Sequence, residues 1–271
     1  MLKQRVLSAI VFVPLFLAIA YLGGKVFDLF LVLILALAGY EYTRMLASAG
    51  YQVSHLLVTA SIVTVTVLRS LSSASLDFLG LTAILAVLVA FALWKYEHGD
   101  QQAFHCLAFQ FFGVYYIGVL GAYGIRLNHS GPDGNLWVLV TIGLVWLVDA
   151  GAYFFGTRFG KNIVLPRLSP KKTLEGFLGG TLVGVMSGGL IGLIFSSIMP
   201  ELGALKGALL GLLMGTLAFF GDALMSLLKR TVEVKDTGTL LPGHGGVLDR
   251  LDSMLWAMAA GTYFAIFIGP L

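Results

Sequence analysis

The chain has 271 residues, of which 58% are hydrophobic and only 11% are charged. Soluble domains carry about 25% charged residues, so this composition excludes an ordinary soluble globule and predicts a protein surrounded by lipid. The formal net charge of +3 is too small to indicate binding to nucleic acid. The single cysteine, Cys106, excludes a disulfide framework within the chain and a cysteine-rich metal site.

Nine apolar segments follow one another, each near the ~20 residues that a helix needs to cross a bilayer. Backbone groups in lipid must bond within their own segment, so the pattern predicts an all-α, polytopic integral membrane protein with about nine transmembrane helices. A cleaved signal peptide is the alternative for the first segment, but similar segments continue to the C-terminus. The segments are approximately 6–23, 26–45, 54–71, 75–95, 103–125, 136–156, 176–199, 203–228 and 252–270.

The positive residues divide unevenly between the two sides of such an arrangement. Thirteen of the seventeen Lys and Arg residues lie on the side of the N-terminus, and four lie on the other. Cytoplasmic loops are enriched in Lys and Arg, so we expect the N-terminus in the cytoplasm and the C-terminus outside. Most of the cytoplasmic charge lies in two loops, 157–175 and 229–251.

Glycine recurs every four residues in the seventh and eighth segments, a spacing that lets helix backbones approach closely. We favour tight packing within one chain, and a contact in a homodimer is the alternative. Residues 1–100 are expected to support residues 101–271, which carry the candidate site. The glycines are Gly176, Gly180, Gly184, Gly188 and Gly192, and then Gly207, Gly211 and Gly215.

Four aspartates lie inside or at the edge of apolar segments, where a charge at the bilayer centre costs roughly 2.5–3.5 kcal/mol. Asp249 and Asp252 begin the ninth segment, so capping a helix is an alternative role for them. Asp149 and Asp222 have no capping role, and Asp222 needs a cation nearby. A salt bridge from Asp222 to Lys229 would be long. A metal ion shared by Asp222 and Asp249 is the sharper hypothesis, because Mg²⁺ is typically held by one or two carboxylates plus phosphates.

Two basic segments offer cations for phosphate. Lys171 and Lys172 follow a turn signal at Ser169-Pro170 and are expected at or near the start of a helix, whose free N–H groups favour anions. Anchoring the topology is the alternative role. In the second segment, His244 stands between glycines without an apolar face to pack on, which favours contact with a ligand.

The segment from Ser226 to Asp252 resembles the signature of the phosphatidate cytidylyltransferases, also called CDP-diacylglycerol synthases. The blocks from Ser169 to Gly176 and from Asp149 to Gly156 resemble the same family, and the resemblance covers about residues 145–256. The N-terminal half adds only the many-helix outline. The signature positions are Ser226, Lys229-Arg230, Lys235-Asp236, His244-Gly245-Gly246, Asp249-Arg250 and Asp252.

This resemblance implies transfer of CMP from CTP to phosphatidate, which gives CDP-diacylglycerol and pyrophosphate. It implies a divalent cation, normally Mg²⁺, with a second metal ion left open. It also implies a multi-pass protein of a bacterial inner membrane, with its active site on the cytoplasmic side and membrane lipids around it. An anion transporter and another CTP-dependent lipid kinase or transferase are the alternatives.

Such a reaction needs positioning and charge neutralisation more than a general base, and we expect direct attack on the α-phosphorus. The catalytic candidates are Asp222, Asp249, Lys229, Arg230 and Asp252. The substrate-binding candidates are Lys171, Lys172, Lys235, Asp236, His244 and Ser226. The candidate metal ligands are Asp222, Asp249, Asp252 and Asp149, the last either as a ligand or as an orienting residue.

Overall fold

A computed structural model describes residues 13–71, 74–238 and 245–268, and over these residues the chain is almost entirely helical. One antiparallel hairpin, β1 (Ile163–Leu165) with β2 (Ser169–Thr173), interrupts the helices between α7 and α8. A π-helical stretch, Val114–Val119, joins α5 to α6, and the 3-10 turn Phe195–Ser197 follows α8. The helices are α1 (Val13–Leu22), α2 (Gly24–Ser48), α3 (His55–Leu71), α4 (Ala74–Glu97), α5 (Ala103–Gly113), α6 (Leu120–Asn128), α7 (Gly134–Phe159), α8 (Leu174–Ile194), α9 (Gly203–Thr231) and α10 (Leu248–Ile268).

Seven spans among the described residues are long and apolar enough to cross a membrane. Six of them lie along α2, α4, α7, α8, α9 and α10, and the seventh is the continuous stretch Ala103–Asn128. The helices α1 and α3 coincide with predicted segments but are shorter, and residues 6–12 of the first segment lie outside the described residues. A polytopic helical membrane protein is confirmed, whereas the count of nine and the placement of the termini stay predictions.

The first of two compact units comprises the described residues up to Arg126 together with Thr231–Arg250. Its core forms where small residues of one span face large side chains of another. A Cβ atom at Gly113 would overlap the ring of Tyr42, and one at Gly121 would overlap Leu35. The Tyr42 hydroxyl donates a hydrogen bond to the carbonyl oxygen of Phe109 at 2.7 Å. Glycine therefore lets α5 and α6 pack directly against α2.

The second unit comprises Leu127–Arg230 and Leu251–Leu271, and close contact between helix backbones organises its described part. The glycine stripes of α8 and α9 meet at three levels, where a Cβ atom on one helix would overlap a backbone carbonyl of the other. The favoured interpretation, packing within one chain, is confirmed for these glycines, and a homodimer stays a prediction. The facing pairs are Gly184 with Gly211, Gly188 with Gly207, and Gly192 with Gly203.

The predicted loop 157–175 is largely regular structure, because α7 continues to Phe159 and the hairpin occupies most of the remainder. The strands pair Leu165 with Ser169, which leaves a turn at 166–168. The turn predicted at Ser169-Pro170 is therefore wrong, and both residues lie in β2. A two-stranded sheet has only edge strands, where a proline without an N–H group is tolerated.

Adjacent glycines of α8 provide a matched test of this packing. We expect Gly188→Ala to destabilise the protein by about 1–3 kcal/mol, because its Cβ atom would overlap the carbonyl oxygen of Gly207. At Gly189 the nearest atoms to a Cβ lie 3.5 and 3.6 Å away, so Gly189→Ala should be neutral or gain roughly 1 kcal/mol of helix propensity. Thermal unfolding in detergent measures both, and equal melting temperatures would contradict the close contact.

Candidate active site

An ion pair links the hairpin to a membrane-spanning helix in the second unit. The Lys172 ammonium lies 2.8 Å from the Asp222 carboxylate, with side-chain exposures of 15% and 45%. The same ammonium lies 5.1 Å from the centroid of the Phe219 ring, one turn earlier on α9. The Asp222 side chain, inside an apolar helix, therefore has a cation beside it and keeps enough exposure to meet a ligand.

The hairpin delivers Lys172 from a position that the sequence did not predict. Lys171 and Lys172 lie in β2, and α8 begins after them at Leu174. The Thr173 hydroxyl accepts a hydrogen bond from the N–H group of Gly176 at 3.1 Å, which uses one of the free donors of the helix. The expected place of the lysines, at or near a helix start, is thus corrected to the strand that precedes it.

The Glu175 carboxylate holds the base of the hairpin to the first turn of α8. It accepts hydrogen bonds from the N–H group of Lys161 at 3.0 Å and from the side-chain amide of Asn162 at 2.6 Å. The N–H group of Leu174 donates to the Asn162 carbonyl at 2.8 Å. These bonds close the hairpin at the point where the chain re-enters the apolar spans.

Three helices of the second unit, α7, α9 and α10, each carry one candidate carboxylate. The side chain of Asp252, in α10, is buried. Asp222 of α9, Asp149 of α7 and Lys229 of α9 all act electrostatically on its charge. The N–H group of Ser253 donates to Asp252 at 2.7 Å. Three of the four candidate metal ligands therefore belong to the same unit.

Three further candidates, Ser226, Lys229 and Arg230, lie near the end of α9. The Ser226 hydroxyl donates to the Asp222 carboxylate at 3.4 Å. The Arg230 side chain is exposed, and its Nε donates to the carbonyl oxygen of Leu168 at 3.4 Å. Arg230 therefore ties the turn of the hairpin to the end of α9. Lys171 is exposed and Lys229 is half-buried.

Asp249 belongs to the first unit, and its carboxylate organises the loop that precedes α10. One oxygen, Oδ2, accepts three hydrogen bonds: from the N–H group of Thr237 at 2.9 Å, from the Thr237 hydroxyl at 3.0 Å and from the N–H group of Gly246 at 3.2 Å. These bonds support the alternative role of Asp249 in holding local structure. Its role as a metal ligand stays a prediction.

Glu41 reaches the same loop from α2. Its side chain is buried, and its Oε2 accepts a hydrogen bond from the N–H group of Leu248, the first residue of α10, at 3.0 Å. The sequence analysis did not single out Glu41 or Thr237. The signal for Glu41 was an acid within an apolar segment, which is costly and so marks a functional or structural role. Thr237 had no comparable signal, because its partner, Asp249, lies twelve residues further along the chain and meets it only once the loop has folded.

The remaining candidates are only partly placed. Lys235 and Asp236 are exposed residues of the loop between α9 and α10. The prediction for His244 lies outside the described residues. The loop itself is shorter than 229–251, because α9 continues to Thr231 and α10 begins at Leu248.

No group of three His, Cys, Asp or Glu side chains has the geometry to hold a metal ion by itself within residues 13–71, 74–238 and 245–268. Magnesium sites of enzymes that act on nucleotides usually need fewer protein ligands, because substrate phosphates and water supply the others. The carboxylates of Asp149, Asp222 and Asp252 provide the oxygen donors that such an ion prefers. The metal assignment therefore stays a prediction.

The chain belongs to the cytidylyltransferase family, whose model matches residues 3–268. This match covers almost the whole chain, including the N-terminal helices for which the sequence showed only a many-helix outline. The chain is thus related to nucleotidyltransferase enzymes.

Similar proteins from two bacteria carry a more specific name. A phosphatidate cytidylyltransferase of Staphylococcus haemolyticus is 29% identical over 259 residues, which are 95% of this chain and 96% of that protein. A phosphatidate cytidylyltransferase of Brucella suis is 32% identical over 270 residues, which are 99% of this chain and 95% of that protein. Both similarities run the length of the chain.

A double-mutant cycle tests the ion pair between Lys172 and Asp222. We expect Lys172→Gln, Asp222→Asn and the double variant to show a coupling of about 0.5–1 kcal/mol in thermal unfolding, because the pair is partly exposed. The matched control is Lys171→Gln, whose exposed side chain in the same strand should show no coupling to Asp222. Additive effects of Lys172→Gln and Asp222→Asn would contradict the pairing.

Proposed function

We propose that the chain transfers CMP from CTP to phosphatidate and releases pyrophosphate, as the shared name of its relatives indicates. The single observation that carries this proposal is the pairing of Lys172 with the partly exposed Asp222 at 2.8 Å, in the same unit as the buried carboxylate of Asp252. A cation and acids at the end of membrane helices suit a reaction between two anionic substrates. CTP comes from water, and phosphatidate comes from the surrounding lipid.

In the proposed reaction a phosphate oxygen of phosphatidate attacks the α-phosphorus of CTP. A new P–O bond forms, the bond from the α-phosphorus to the bridging oxygen breaks, and pyrophosphate leaves with that electron pair. The attacking oxygen is already anionic near neutral pH, so no strong base is required. The main obstacle is repulsion between anions, which positioned cations reduce. Lys172, Lys171, Lys229 and Arg230 take this role in the proposal, and Lys235, Asp236 and His244 keep their predicted role at CTP.

We assign Asp222 and Asp252 as the first candidates to hold Mg²⁺, with Asp149 as a further ligand or an orienting residue. A bound Mg²⁺ would neutralise charge on the phosphates of the nucleotide. Asp222 is partly exposed and already faces a cation, so the pairing with Lys172 shows that its surroundings accept positive charge. Asp249 is kept as a further candidate, and a second metal ion stays open.

The proposed place of the enzyme is a bacterial inner membrane, with the active site on the cytoplasmic side. The support is the excess of Lys and Arg on one side of the predicted topology. The hairpin and the loop before α10 then face the cytoplasm, where CTP is available.

A product assay tests the proposed reaction. Purified protein in lipid nanodiscs with Mg²⁺, CTP labelled in the α-phosphate and phosphatidate should form labelled CDP-diacylglycerol and one pyrophosphate per turnover. We expect Asp222→Asn to lower kcat by at least about 100-fold, because it removes charge at the reacting phosphates. Glu201→Gln, a carboxylate change in the link before α9, is the control and should retain activity.

Other products would overturn the proposal in defined ways. Formation of CDP with a phosphorylated lipid would identify a lipid kinase, and the absence of any product would leave the transporter alternative. Exchange of label between pyrophosphate and CTP without phosphatidate would replace direct attack by a covalent nucleotidyl-enzyme.

Cysteine labelling tests the proposed orientation. Cys106→Ser removes the only cysteine of the sequence, so single cysteines can then be placed at Lys161, between α7 and the hairpin, and at Pro132, between α6 and α7. A membrane-impermeant maleimide should label Lys161→Cys only in inverted vesicles and Pro132→Cys only in intact spheroplasts. The opposite pattern would reverse the topology.

A further inference from the structure

Glu41 occupies an unusual place for a carboxylate. It lies in the membrane-spanning helix α2 with only 2% of its surface exposed. Burying a carboxylate costs free energy unless hydrogen bonds compensate for the lost water. One of its hydrogen-bond partners, the N–H group of Leu248, lies 207 residues further along the chain. A helix near the N-terminus therefore contacts the segment that carries the family signature.

The bond to Leu248 acts at the start of a helix. The first N–H groups of a helix have no partner inside that helix, and an acceptor there stabilises the helix start. Here the acceptor is a carboxylate from another helix instead of a neighbouring residue. The next residue, Asp249, accepts hydrogen bonds from the N–H groups of Thr237 and Gly246. Two carboxylates, Glu41 and Asp249, therefore hold the start of α10 and the loop before it.

Two glycines of the signature loop make room for Glu41. A Cβ atom at Gly238 would lie 2.5 Å from Oε1 of Glu41, and its three nearest atoms all belong to that side chain. A Cβ atom at Gly246 would lie 2.7 Å from Oε2 of Glu41 and would overlap the Thr237 hydroxyl. Gly238 and Gly246 thus both lie against the Glu41 carboxylate, and a side chain at either position would collide with it.

We propose that Glu41 is a positioning residue for the reaction, which holds the described parts of the loop between α9 and α10 (232–238 and 245–247) and the start of α10 in the geometry needed for turnover. This inference rests on the proposed cytidylyl transfer. Glu41 acts through the loop, which carries Lys235 and Asp236 and leads to Asp249, and it has no direct role at the reacting phosphates. The N-terminal helices then contribute to catalysis instead of serving as a support alone.

Asp28 is a matched control on the same helix. It is also buried, with 3% of its surface exposed, and its carboxylate accepts a hydrogen bond from the Ser70 hydroxyl at 2.6 Å and pairs with Lys25 at 3.4 Å. None of these partners is a candidate site residue. A variant at Asp28 therefore removes a buried charge from α2 without acting on the signature loop.

Steady-state kinetics separates positioning from general destabilisation. We expect Glu41→Ala to lower kcat by about 10- to 100-fold with a smaller change in the KM for CTP. Glu41→Gln retains an oxygen that accepts the Leu248 N–H bond and should recover roughly 10-fold of that loss. Asp28→Asn should keep kcat per folded molecule. Equal kcat for Glu41→Ala and the unaltered protein, or an equal loss in Asp28→Asn, would overturn the proposal.

Two measurements make the test independent of overall folding. Hydrogen exchange of the peptide 231–250 should be faster in Glu41→Ala than in the unaltered protein and unchanged in Asp28→Asn. Gly238→Ala should lower kcat in the unaltered protein but add little to the loss in Glu41→Ala, because its added methyl group collides with Glu41. Additive losses, or unchanged exchange in Glu41→Ala, would contradict positioning through the loop.

The failure of this inference is distinguishable from failure of the proposed function. If the unaltered protein makes no CDP-diacylglycerol, the proposed function fails, and hydrogen exchange still reports whether Glu41 orders the loop. If the unaltered protein is active and Glu41→Ala is equally active, only the inference fails.

Discussion

A charged side chain within a membrane-spanning helix loses its contacts with water. It therefore needs a hydrogen-bond donor or an opposite charge close by. Much of the structure around the candidate site follows from this constraint. Asp222 in α9 faces Lys172, which the hairpin brings to 2.8 Å. Glu41 in α2 accepts a hydrogen bond from the N–H group of Leu248 at 3.0 Å. In both cases the partner comes from a segment outside the helix that carries the acid, so the acid fixes the position of a strand in the first case and of a helix start in the second.

Close approach of backbones is the second requirement. In α8 and α9 the facing glycines bring the two helix backbones together, and a Cβ atom at any of the three levels would meet a carbonyl group. Such packing leaves little freedom for the helices to shift against each other. The hairpin lies directly before α8, and Asp222 lies further along α9, so rigid packing of the pair supports the geometry between Lys172 and Asp222.

The proposed reaction depends on both the paired charges and the close helix packing. Reactions between phosphate anions need cations held in place before the substrates arrive, because the main obstacle is repulsion between the anions. A lysine fixed by a carboxylate and placed beside an aromatic ring is suited to that task. The three hydrogen bonds to Oδ2 of Asp249 show that the signature includes residues that shape the loop as well as residues expected to meet a ligand.

The sequence by itself determined the helical membrane architecture, the locations of the apolar segments and the family, because hydropathy and motif spacing are local properties of the chain. It also identified Asp222, Lys172 and Asp252 as candidates. It missed the hairpin, since short strands rich in lysine and proline carry no strong periodic signal. It could not assign Lys172 as the partner of Asp222, or find Glu41 beside Leu248. Those contacts join residues 50 and 207 positions apart, and only the packing of the helices decides which distant side chains meet.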